Sequence, residues 1–125
     1  MVVDTDVLIW YMRGSEKALR ALERLGTFSI SAITHMELVQ GMRNKGELIA
    51  YRQTLRLWKT EILHVDEAIS AKAIFFVEQY YLSHALQVAD ALIGATALAH
   101  GSAILTANDK QYKVLKDIQI VKFRP

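Results

Sequence analysis

The sequence predicts an α/β fold with a central, mainly parallel β-sheet flanked by α-helices. Two observations carry this reading. Short apolar runs alternate with helical segments along the whole chain, and the runs are apolar enough to need cover on both faces. There is a single proline, Pro125, and no Pro/Ser-rich linker, repeat or low-complexity tract, so residues 1–125 read as one domain.

The elements follow in order. Met1 to Thr5 is an apolar run ending in polar residues, a buried first strand. Asp6 to Met12 gives a helical turn or two, punctuated by Gly14 and Ser15. In Glu16 to Leu25, the apolar residues Ala18, Leu19, Leu22 and Leu25 recur at helical spacing and Gly26 ends the helix. Phe28 to Ile30 is a short strand and Ser31 to Met42 a helix. Leu48, Tyr51, Leu55 and Trp58 share one face of a helix over 48–58. Ile62 to Val65 is a strand, Asp66 to about Leu82 a long helix, and Gln87 to Ala99 another, closed by His100-Gly101. Ala103 to Leu105 and Ile118 to Val121 are the last strands.

Composition narrows the function classes. A chain of 125 residues that is 52% hydrophobic and 22% charged builds one real core and is not disordered. No apolar run is long enough to span a membrane, and the N-terminus has no signal-peptide pattern. The absence of cysteine excludes disulfides and thiolate metal sites and fits a cytoplasmic location. A net charge of +2 hints only weakly at an anionic partner.

Ligands of open parallel sheets bind beyond the carboxyl ends of the strands, and the acids fall there. Asp4 closes the first strand, where a carboxylate is costly unless paired or bound to metal. Asp6 reads either as a helix N-cap or as a member of the same group. Glu37 opens a helix, and Thr34-x-x-Glu37 also matches a capping box. Asp90 stands near the start of an almost wholly apolar, small-residue helix, where the helix dipole favours it and little water reaches it. Thr106, Asn108 and Asp109 follow the strand 103–105, and Thr106-x-x-Asp109 again resembles a cap. Singly, several of these acids read as caps. Converging on one edge, they repel one another until a cation joins them. Hard oxygen donors without sulfur select Mg²⁺ or Mn²⁺. Such a site hydrolyses phosphodiesters.

At these residues the chain resembles the PIN-domain family, in particular the VapC-type toxins. Val2-Val3-Asp4-Thr5-Asp6-Val7-Leu8-Ile9 is similar to the family's first motif, with its acid at Asp4. Ser31 to Leu38 resembles the second, with its acid at Glu37 and Gly41 following. Asp90 to Ala97 resembles the third, with its acid at Asp90. Leu105-Thr106-Ala107-Asn108-Asp109 resembles the last, where the family's Asp or Asn falls on Asn108 and the nearest acid is Asp109. Downstream, Gln111-Tyr112 stands where the family commonly has Asp or His before an aromatic. The resemblance spans Val2 to about Phe123. It implies a PIN-like fold, RNA cleavage with Mg²⁺ or Mn²⁺, a homodimer, and inhibition by a VapB-type antitoxin. Asp4, Glu37, Asp90 and Asp109 are then the catalytic acids, the first three the metal ligands, with Thr5, Asp6, Thr106 and Asn108 supporting.

The remaining surface offers partners. Arg13, Lys17, Arg20 and Arg24, followed by Arg43, Lys45, Arg52, Arg56 and Lys59, are either solvated faces or contacts for RNA phosphates. Trp10, Tyr11, Tyr51 and Trp58 are either core or a groove for an antitoxin helix. Phe75, Phe76, Tyr80 and Tyr81 surround one helix, divided between core and a dimer face. His35, His64, His84 and His100 show no metal-ligand spacing. Two alternatives stand beside the ribonuclease. One is a catalytically inactive PIN-like module that binds RNA or protein. The other is a haloacid-dehalogenase-like phosphatase, suggested by Asp4-x-Asp6, although the residues after Asp6 do not continue that pattern.

Overall fold

The computed structural model describes residues 1–125. Five strands, β1 (Val2–Val3), β2 (Ser29–Ser31), β3 (Glu61–Leu63), β4 (Ile104–Thr106) and β5 (Ile120–Lys122), form one sheet in the order β3-β2-β1-β4-β5. All four pairings are parallel. The helices are α1 (Thr5–Met12), α2 (Glu16–Leu25), α3 (Ala32–Gln40), α4 (Lys45–Leu57), α5 (Glu67–Tyr80), α6 (Val88–Ala99) and α7 (Asp109–Tyr112).

The alternation of side chains along each strand divides the core between two faces. Val2 and Ile104 join Ile69, Phe76, Ile93 and Tyr112 under α5, α6 and α7. Val3 and Leu105, the next residue in each strand, join Val7, Leu22, Ile30 and Tyr51 under α1 to α4. Central strands covered on both sides have no polar face, which is why their sequence runs are wholly apolar.

Several boundaries differ from the sequence expectation, each for a local reason. Helix α1 begins at Thr5, because Asp4 and not Asp6 is the N-cap, its carboxylate accepting from the Thr5 N–H at 2.8 Å. Helix α4 begins at Lys45, because Asn44 caps it by accepting from the Glu47 N–H at 2.9 Å. Strand β3 starts one residue earlier than expected and ends at Leu63, since Asp66 caps α5 through the Ile69 N–H at 2.8 Å. Strand β5 lies two residues later than expected at its start, and α7 was not expected at all, a single turn between β4 and β5.

Candidate active site

The site is built at the carboxyl edge of β1 and β4, the middle and next strand of the sheet. The parallel register that sets Val3 beside Leu105 brings Asp4 and Thr106 together at the same edge. Asp4 is only 5% exposed. One oxygen takes the Thr5 N–H and the other takes the Thr106 hydroxyl at 2.7 Å. Burial raises the Asp4 carboxyl above its ordinary range; the hydrogen bonds from Thr106 and Thr5 act against that, and the Glu37 charge adds to it.

Asp6 is not a cap. It lies in the first turn of α1 and turns back across the sheet, where Oδ2 accepts from the Ala107 N–H at 3.0 Å. Its Oδ1 is buried without a partner. Burial, then the Asp4 charge, pushes its carboxyl up to about 6. This contact ties the start of α1 to the loop after β4.

Glu37 does not form the capping box that its spacing with Thr34 suggests. Ser31 caps α3 instead, accepting from the Ile33 N–H at 3.0 Å. The Thr5 hydroxyl lies 2.8 Å from Glu37 Oε1 and 3.0 Å from the Thr34 hydroxyl. A hydroxyl has one proton, so Thr5 donates to the carboxylate and accepts from Thr34. Glu37 is thereby fixed towards β1.

Asp90 lies in the first turn of α6, whose N-cap, Gln87, makes no side-chain cap bond. Burial first, then the charges of Asp4 and Glu37, raise its carboxyl to about 6. Asp4 and Glu37 therefore lie close enough to Asp90 for their charges to disfavour its ionised form. Close packing brings α6 there: a Cβ on Gly94 would meet Leu115 Cδ1 at 2.5 Å and the Tyr112 ring at 3.4 Å.

The last motif divides. Thr106 belongs to the site, and it also accepts the Asn108 N–H at 2.9 Å, so the expected Thr106–Asp109 cap does not form. Asn108 is the N-cap of α7 by position, without a side-chain cap bond. Asp109 is drawn to cations, 3.2 Å from Lys113 Nζ and 3.5 Å from Lys122 Nζ. Those lysines, Lys113 first, hold its carboxyl below the usual range. The charge it feels is theirs, not that of Asp4, Glu37 or Asp90.

Sequence reasoning missed Tyr112. It is fully buried, and its hydroxyl has no hydrogen-bond partner in good geometry. It lies close enough to the acids that burial first, then the charges of Asp4 and Asp90, drive its phenol far up. Its signal is faint: an aromatic one helical turn after Asn108, which the sequence marks only as the residue following Gln111, the place of an absent acid. The histidines stand apart, His35 pairing with the Tyr51 hydroxyl at 2.8 Å.

The donor set suits a hard cation. No three His, Cys, Asp or Glu side chains stand close enough to close a shell around an ion. Mg²⁺ rarely asks for that, since it keeps several waters and takes one or two carboxylates directly. Raised carboxyls at Asp4 and Asp90, beside Glu37, are the state that such a cation relieves.

The family model for the PIN domain matches residues 1–117. The chain belongs to the PIN-domain family. Ribonuclease VapC1 of Methanocaldococcus jannaschii is 32% identical over 120 residues, 94% of this chain and 82% of that protein. Among solved structures, a toxin–antitoxin complex from Klebsiella pneumoniae aligns with TM-score 0.78 and 27% identity over 98% of this chain and 97% of that one. VapBC2 from Rickettsia felis, bound to a DNA fragment from their promoter, aligns with TM-score 0.79 and 21% identity over 98% of both chains. The second likeness bears on the fold alone. Family membership removes the haloacid-dehalogenase-like alternative.

Proposed function

We propose that this chain is a metal-dependent endoribonuclease, a single PIN domain over residues 1–125 that acts in the cytoplasm as the toxin half of a VapBC-type pair. The observation that carries the reading is the convergence of three acids at the carboxyl edge of the sheet, where the Glu37 charge helps to raise the Asp4 carboxyl and the charges of Asp4 and Glu37 help to raise that of Asp90. It is supported by the family and by the VapC1 relative.

Asp4, Glu37 and Asp90 would hold Mg²⁺ or Mn²⁺, one or two of them directly and the rest through the ion's waters. When bound, such an ion lowers the pKa of a water and offsets charge building on a phosphodiester. The chain supplies the positioning. Thr106 and the Thr5 N–H fix Asp4, and the Thr5 hydroxyl fixes Glu37. Asp90, whose shift arises from burial and charge without a hydrogen bond, is left to orient a water. Asp109, held by Lys113 and Lys122, supports the site from its rim and keeps two cations beside the RNA path.

Partners have their own surfaces. Tyr11, Tyr51, Leu55 and Trp58 line an apolar groove of about 210 Å³ between α1 and α4. That groove suits the apolar face of an antitoxin helix. Ile74, Phe75 and Val88 are exposed on α5 and α6 and would be covered in a homodimer.

The test is cleavage of a total RNA pool with Mn²⁺, comparing the native chain with Asp4→Asn and Asp90→Asn and mapping new 5′ ends. Discrete metal-dependent cuts, lost in both variants, are expected. A folded chain that cuts nothing, and whose melting temperature ignores Mg²⁺ and Mn²⁺, would leave a binding module instead.

A further inference from the structure

A second cleft, of about 410 Å³, opens between α2 and the end of β5. Lys17, Arg20, Arg24, Lys122 and Arg124 line it, and no acid does. The whole chain carries a net charge of only +2. Five cations in one cleft therefore make a local field that the total conceals.

The sequence builds this concentration from two elements. Lys17, Arg20 and Arg24 recur along α2 at the spacing that keeps side chains on one face, a stripe roughly 10 Å long. The opposite side of α2 is buried through Ala18 and Leu22. Lys122 and Arg124 flank buried Phe123 at the end of β5, and both are exposed at the mouth of the cleft. Leu105 and Val121 give the cleft an apolar floor. Two of the cations have acidic neighbours outside the cleft: Arg20 is 3.4 Å from Glu16, and Lys122 is 3.5 Å from Asp109. The Arg20 pair is exposed on both sides, and such pairs yield readily to a stronger anion.

The cleft adjoins the carboxylate centre. Thr106, whose hydroxyl holds Asp4, lies in register with Lys122, and Leu105 of the cleft floor precedes it. We infer that this cleft is the track for the RNA strand flanking the cleaved bond. Lys17, Arg24 and Arg124 take its phosphates, and the floor of Leu105 and Val121 lies against its sugars or bases. The inference rests on the ribonuclease reading and assigns the path that substrate follows away from the acids. A polyanionic strand fits better than an acidic peptide, because five cations and no acid line the cleft and the series reaches Lys122 beside Thr106 at the edge of the site itself.

The test uses Asp90→Asn as the background, so that RNA is bound without being cut. Binding of a fluorescent single-stranded RNA is measured between ~50 and ~200 mM salt. Each phosphate contact with a single strand contributes about −0.7 to the slope of log K against log salt. Arg24→Gln with Arg124→Gln should make the slope shallower by roughly 1.4. Lys45→Gln with Lys116→Gln removes the same charge elsewhere and should leave the slope unchanged. With Asp90 restored, the cleft variant should raise KM and keep kcat. Equal loss of slope in both double variants would mean overall charge, not the cleft, holds RNA, and would overturn the inference. So would an unchanged slope in the cleft variant, and release of an acidic antitoxin segment in its place would assign the cleft to that partner. Should the Asp90→Asn protein bind no RNA at any salt, the ribonuclease reading itself falls, and this inference with it.

Discussion

Asp90 has two acidic neighbours and is half-buried. Its folded-state value of about 6 lies above that of an unfolded aspartate, as does that of Asp6. The consequence for stability has a definite sign. Below pH ~4 both states hold the proton and nothing is lost. As pH rises towards 6 the unfolded chain ionises first, so the metal-free fold loses stability across that window. Asp90 is partly exposed, so after allowance for screening the loss it causes is about 1–2 kcal/mol. Asp90→Asn should flatten this part of a chemical-denaturation profile taken in chelator, while abolishing the rise in melting temperature given by Mn²⁺. An unaltered profile would show that Asp90 does not feel Asp4 and Glu37. Tyr112 predicts the opposite of an ordinary core change. Its buried hydroxyl lies towards Asp4 but makes no well-formed hydrogen bond, and a poorly paired buried polar group is costly. Tyr112→Phe should therefore leave the denaturation midpoint unchanged or raise stability by up to about 1 kcal/mol; a loss would reveal that the hydroxyl is bonded in solution.

The elements show how much of the site was legible. Asp4, Glu37 and Asp90 stand out in the sequence because a motif puts each just beyond a strand or within the first two turns of a helix, and residue order shows that directly. What order does not show is which partner a polar group takes when two are in reach. Thr34 reads with Glu37 as a capping box, but it reaches Thr5 across to α1. Asp6 was read locally and bonds Ala107, a residue more than a hundred positions away. Asp109 was read with the other acids, yet Lys113, one turn on, and Lys122, in β5, hold it. Each departure is a tertiary contact replacing a local one. Thr106 is the junction of these contacts, donating to Asp4 and accepting from Asn108. Thr106→Val removes both bonds while keeping the shape, and should cost about 2 kcal/mol in denaturant unfolding. A change within ±0.5 kcal/mol would mean that the loop after β4 is held by Asp6 alone.

The whole molecule separates its cluster of acids from its apolar groove. The acids occupy the carboxyl edge of the sheet, whereas the apolar groove lies between α1 and α4, on the face covered by Val3 and Leu105. Sequence spacing brought Tyr11, Tyr51 and Trp58 to one surface correctly, and the structure packs Tyr11 and Phe28 against Trp58 at 4.8 and 5.6 Å between ring centres. Trp10 does not join them in the groove lining. Trp58 thus serves both core and groove, which makes it a poor probe of binding, because its loss would also open a cavity. Ala50 is the better one. It lines the groove, is exposed, and supports no core cluster. Ala50→Glu places a charge where an apolar helix face must settle, and an unpaired charge buried at an interface is strongly unfavourable. The variant should fold and cut RNA at the native rate, yet fail to co-purify with a co-expressed cognate antitoxin and resist its inhibition. The free protein's melting temperature separates this from misfolding. If Ala50→Glu still binds and is still inhibited, the antitoxin seats elsewhere, and the exposed apolar residues of α5 and α6 become the surface to test.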